Sequence, residues 1–218
     1  MARSPSITQR LRRSFGRQFA RPRGPLGWLV ARLMRRGNAS LNLWLVELLA
    51  VQPQDRVLEV GFGPGVALAA LLARASAGFV AGVDASALMV RQARSQHADA
   101  IAAGRLELRQ GDARSLPYTD ASFDRACCTH VIYFWPDAVG GVRELHRVLR
   151  PGGRLALGYQ ERERMPPASA TTLSQAGAVL YGPGEVEQVV RTAGFSDVRT
   201  ERQGAAASPT GFCVLATK

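Results

Sequence analysis

Val57-Leu-Glu59-Val-Gly61-Phe-Gly63-Pro-Gly65 is a short apolar strand that runs straight into a glycine-rich turn. Arg56–Val60 reads as the strand, and Val66–Ala75 continues the turn as a helix. A strand, a tight turn and a helix in that order form the opening unit of an α/β domain. Reading outward, Phe79–Asp84 is a second strand, and Ser86 is placed to cap the next helix. Leu106–Gln110 and Phe123–Thr129 are a third and a fourth strand. Asp137 caps a helix running to Leu149, Pro151-Gly152-Gly153 stops it, and Arg154–Gly158 is a fifth strand. Residues 159–181 read as a looser stretch around Met165-Pro166-Pro167. Pro183 opens a helix that ends at Gly194, and Val198–Glu201 and Phe212–Thr217 close the chain as strands. Such alternation specifies an α/β fold, a mostly parallel sheet with helices on both faces.

N-terminal to this unit the sequence changes character. Ten arginines fall within residues 1–36, and the first acidic residue is Glu47. The net charge of +11 therefore sits in a basic arm, because the remainder holds 18 basic and 17 acidic residues. In the arm Ile7, Leu11, Phe15 and Phe19 recur every four residues. Leu26, Leu29, Val30, Leu33 and Met34 follow helical spacing after Pro22 and Pro25, and so do Leu41, Trp44, Leu45, Leu48 and Leu49 after Gly37. We expect an arm over 1–37, a main domain over 38–218, and N-terminal helices in front of the sheet. No apolar run reaches the ~20 residues that span a bilayer. Three cysteines, two adjacent, build no disulfide framework, and no His or Cys cluster has metal-ligand spacing, so no metal is expected. The cysteine usage fits a reducing, cytoplasmic setting. The Arg-rich, acid-free start is also similar to an organellar transit peptide. An Arg-rich amphipathic helix equally suits peripheral contact with an anionic membrane.

The glycine turn needs a ligand class. A dinucleotide fingerprint wants Gly or Ala three residues after Gly63, where this chain has Val66. A phosphate-binding P-loop needs a lysine, and the only lysine is Lys218. Both phosphate readings lose ground.

Four ordered motifs decide between the remaining possibilities: the glycine turn, Gly82-Val-Asp84-Ala-Ser86, Gly111-Asp112-Ala113 and Leu149-Arg-Pro-Gly-Gly153. Together they resemble the class I S-adenosylmethionine (SAM)-dependent methyltransferases, in particular the ubiquinone/menaquinone C-methyltransferase-like branch that acts on small molecules. The resemblance covers roughly residues 38–217. It implies a Rossmann-like, seven-stranded, mostly parallel sheet and SAM as cofactor. It places Gly61, Gly63 and Gly65 against the methionyl portion, with Glu59 below them orienting its ammonium. Asp84 then accepts from the ribose hydroxyls, Asp112 from the adenine amino group, and Ala113 donates its backbone N–H. Met89 packs on the adenine, while Ala85 and Thr129 complete the cofactor set. Each has a plainer reading: the glycines as a turn, Asp84 as a helix-capping acid, Asp112 as an exposed turn residue, and Met89 as helix core.

The acceptor side is less specific. Thr129-His130-Val-Ile-Tyr133-Phe-Trp135-Pro136 follows the fourth strand, where the resemblance places residues between cofactor and acceptor. His130 is readable as a general base or as a wall residue; Tyr133 and Trp135 line an acceptor pocket or pack the next helix. Asn38, Asn42, Tyr159 and residues 165–181 are lid or pocket candidates. The Asn/Asp-Pro-Pro-aromatic sequence of base-modifying relatives is missing, so no specific nucleic-acid partner is expected. The function expected is methyl transfer from SAM to a small, partly apolar acceptor such as a quinol, a phenol or a lipid-like molecule. The alternative is a non-catalytic or nucleic-acid-associated module on the same fold.

Overall fold

The computed structural model describes Gly16, residues 18–204 and residues 211–218. The repeat positions Ile7, Leu11 and Phe15 lie outside the described residues. Seven strands form one sheet in the order β3-β2-β1-β4-β5-β7-β6, where β1 is Arg56–Val60, β2 Phe79–Asp84, β3 Leu106–Gln110, β4 Phe123–Thr129, β5 Leu149–Tyr159, β6 Ser196–Gln203 and β7 Gly211–Thr217. The first five in chain order pair in parallel, and β7 runs antiparallel between β5 and β6. The chain leaves β1 for β2 and β3, then returns to β4 on the other side of β1. That reversal opens a crevice at the carboxyl ends of β1, β2 and β4, where open α/β sheets hold their ligands.

Alternate residues of each central strand feed two cores. Leu58, Val60, Ala126 and Cys128 face helices α6 (Ala138–Val148) and α8 (Glu185–Thr192). Val57, Val80 and Cys127 face α2 (Ala39–Leu49), α3 (Val66–Arg74) and α4 (Ala87–Gln96). The three cysteines, including Cys213 on β7, are free and buried. Helix α1 (Gly24–Gly37) packs on α2 and α4; α5 (Ala98–Ala102) leads into β3. The expected caps form: Ser86 Oγ accepts from the Met89 N–H at 3.4 Å, and Asp137 Oδ1 accepts from Gly140 N–H at 2.8 Å.

Two expectations need correction. The helix before β5 stops at Val148, and β5 starts at Leu149 rather than Arg154. Pro151-Gly152-Gly153 stays inside that strand because Gly152 N–H donates to the Lys218 carbonyl and Lys218 N–H donates to that of Gly153. The stretch read as loose contains helix α7 (Pro167–Gln175), started by the proline pair. It buries no residue, so no apolar period announced it.

Candidate active site

The crevice holds a cavity of about 310 Å³ lined by Gly61, Gly63, Asp84, Ala85, Met89, Asp112, Ala113, Thr129, His130 and Trp135. Gly61 has φ +73°, and a Cβ there would strike Val131. Its N–H donates to the Val83 carbonyl at 2.7 Å, tying the turn to β2. Gly63 has φ +50° with open space where a Cβ would sit, so its backbone is bare toward a ligand. Gly65 does not line the cavity. It precedes α3 with φ +76°, and its open side meets Leu68, Ala93 and His97.

Asp84 is buried at the end of β2. Its Oδ2 accepts from Gly63 N–H at 2.8 Å and its Oδ1 from Ser86 N–H at 2.7 Å. Burial nevertheless pushes its carboxyl up; those two bonds and the nearby Arg21 pull the other way. Glu59 lies one residue behind the cavity-lining Val60 and is buried with its Oε2 unpartnered. Burial, reinforced by the Asp84 charge, pushes it up to about 8. An orphaned carboxyl beside a second carboxylate suits a cationic ligand, which would restore the charge that burial suppresses. Asp112 is exposed at the rim, and its carboxylate takes the Arg114 guanidinium through both oxygens, at 3.1 and 2.7 Å. That contact holds it below the usual carboxylate range and leaves it ionised.

The N-terminal segment contributes what the sequence did not announce. Phe19, Ala20, Arg21 and Pro22 line the same cavity. Ser86 Oγ donates to the Pro22 carbonyl at 2.6 Å, latching the segment to the β2–α4 turn.

Beyond His130 lies a second cavity of about 280 Å³, lined by Asn38, Tyr133, Gln160, Met165, Ser169 and Leu173 among others. Phe19, His130 and Phe134 belong to both cavities and form the wall between them. Of the expected acceptor residues, Tyr133, Asn38 and part of 165–181 lie here. Trp135 lines the first cavity instead. Asn42 lines neither, and its side chain donates to the Asn38 carbonyl at 3.0 Å. Tyr159 is core, its ring 5.6 Å from that of Phe212. His130 sits at φ +57°, and burial pushes its imidazole down to about 4. Tyr133 Oη donates to the Gln160 carbonyl and accepts from Gln160 N–H. The same oxygen lies 3.4 Å from His130 Nδ1, which ties the ring to the Tyr133 hydroxyl.

Residues 58–157 match the family described as a methyltransferase domain. The chain is 32% identical over 193 residues to a demethylmenaquinone methyltransferase of Roseiflexus castenholzii, covering 77% of this chain and 79% of that protein. The chain belongs to the class I SAM-dependent methyltransferases. SAM is its cofactor, and the seven-stranded sheet is the Rossmann-like fold of these enzymes. The chain is also similar to the 27-O-demethylrifamycin SV methyltransferase of Amycolatopsis mediterranei, at 38% over 125 residues, covering 57% of this chain but only 46% of that one. The structure of a Thermotoga maritima SAM-dependent methyltransferase, a possible histamine N-methyltransferase, superposes with TM-score 0.66 at 23% identity, covering 97% and 98% of the two chains.

Proposed function

We propose that this methyltransferase acts on a small, partly apolar acceptor carrying a hydroxyl, of the quinol or phenol kind. The observation that carries this reading is the shared wall of Phe19, His130 and Phe134 between the cavity of Gly61, Gly63, Asp84 and Asp112 and a second one lined by Leu33, Tyr133, Met165 and Leu173. In the first, Asp84 would hold the ribose of bound SAM, Asp112 its adenine, and Glu59, behind Val60, its ammonium. Bound SAM would supply an electrophilic methyl on a cationic sulfur. Transfer to the acceptor oxygen would free the hydroxyl proton, which passes along its hydrogen bond to the His130 ring and on to solvent, because a methylated oxonium is far more acidic than an imidazolium. The protein's work is then alignment and exclusion of water. His130 is neutral across the physiological range, so its ring keeps one acceptor nitrogen, which takes a hydrogen bond from the acceptor hydroxyl and orients it. With its pKa near 4 the imidazole is a poor match for a general base at neutral pH. The demethylmenaquinone and rifamycin relatives support a small-molecule acceptor.

The test is transfer of radiolabel from SAM into a panel of quinols and phenols, with RNA and protein as controls. Label is expected in solvent-extractable small molecules. Label confined to macromolecules would overturn the reading. His130→Ala should lower kcat by about 10- to 100-fold while S-adenosylhomocysteine (SAH) affinity stays within about twofold. A loss confined to SAH affinity would remove His130 from the acceptor side.

A further inference from the structure

Helix α1 buries Gly27, Val30 and Ala31 and turns its opposite arc to solvent. On that arc Leu26, Trp28, Leu29 and Leu33 are between 42% and 55% exposed. They make up four of the six large apolar side chains exposed among the described residues, so the exposure is concentrated rather than scattered. Exposed Arg32 and Arg36 stand among them. Leu26, Leu29 and Leu33 follow i, i+3, i+7 spacing and form one stripe. The stripe ends at the second cavity, because Leu33, Gly37 and Asn38 belong to its lining.

We propose that α1 seats on an anionic bilayer surface and that the second cavity opens onto that surface. Leucines flanked by arginines match the boundary between acyl chains and anionic headgroups, where an amphipathic helix lies flat. Ten arginines and no acid in residues 1–36 make the match in charge. A second copy of the chain would bring the same ten arginines to the contact, and the rest of this arm, residues 1–23, would bring seven. A nucleic acid would neutralise the arginines but leave the leucine stripe uncovered. A membrane satisfies both. A lipid-soluble acceptor would then reach His130 past Leu33 without crossing water. This last step rests on reading the second cavity as the acceptor site; the membrane contact does not.

The experiment is co-sedimentation of the full chain with vesicles of phosphatidylcholine, alone or mixed with phosphatidylglycerol. Binding is expected to the mixed vesicles only, and to weaken as salt shortens the screening length. Leu26→Ser with Leu29→Ser keeps every arginine and should lower binding by about tenfold, with SAH affinity unchanged as proof of folding. Arg32→Gln with Arg36→Gln should weaken binding and flatten its salt dependence. Trp28 emission in the wild type should shift to the blue on mixed vesicles, a change absent from Trp28→Phe. That readout decides the matter if the leucine variant does not fold. The proposal is overturned if the wild type ignores anionic vesicles at low salt, if the leucine variant binds equally well, or if Trp28 emission stays unchanged. Capture of an acidic protein or RNA without vesicle binding also overturns it. Vesicle binding with no quinol or phenol methylated would leave the membrane contact standing and remove only the acceptor reading.

Discussion

At the scale of single residues, Asp84 carries the proposed link between structure and cofactor. Each of its oxygens already accepts one backbone N–H, from Gly63 and from Ser86, and each keeps a further lone pair for a ribose hydroxyl. Asp84→Ala should therefore weaken SAH binding by about 10- to 100-fold, or ~1.5–3 kcal/mol, in calorimetry. Unchanged affinity would refute the ribose assignment. The position of Asp84 was legible in the sequence, as a lone acid closing an apolar strand. Its burial and its tie to Gly63 were not, because they arise from the pairing of β1 with β2 across the crevice. Tyr159 was misjudged for a related reason. Which side a strand-end aromatic takes depends on what packs above it, here Phe212 from the far end of the chain.

At the scale of elements, strands and caps were legible wherever burial imposes a period. Helix α7 was hidden because none of its residues is fully buried; only Ala170 and Leu173 pack partly against the core. The covering of the first cavity by Phe19–Pro22 was hidden because Pro22 and Ser86 stand 64 residues apart, beyond any local pattern. Their contact makes a prediction about that segment. Ser86→Ala removes both the bond to Pro22 and the cap on α4, at a cost of about 1–2 kcal/mol. Tryptic cleavage after Arg23 should then speed up several-fold, and SAH should slow it again by filling the cavity that the segment covers. Equal cleavage rates in variant and wild type would show that the latch does not hold the segment.

At the scale of the whole molecule, two buried groups bound the pH range of stability. Glu59 is raised from 4.5 to about 8, so the stability it permits is full below 4.5 and is lost as pH rises through 8. Asp84, also raised, acts in the same direction. His130 is lowered from 6.5 to about 4, so its share is full above 6.5 and is lost as pH falls through 4. Without cofactor the protein should be most stable between about pH 4.5 and 6.5. Denaturant midpoints from pH 4 to 9 check this, and Glu59→Gln should flatten the alkaline limb. A wild-type maximum at or above pH 8 would contradict the buried carboxyl. The cysteines give the same sheet a clock. Cys127, Cys128 and Cys213 lie in its central layers, and burial holds each thiol above its ordinary value. A thiolate-seeking reagent therefore meets none of them until the sheet around β4 and β7 opens. Alkylation should follow the rate of global opening, mark all three sites together, and slow when SAH is bound.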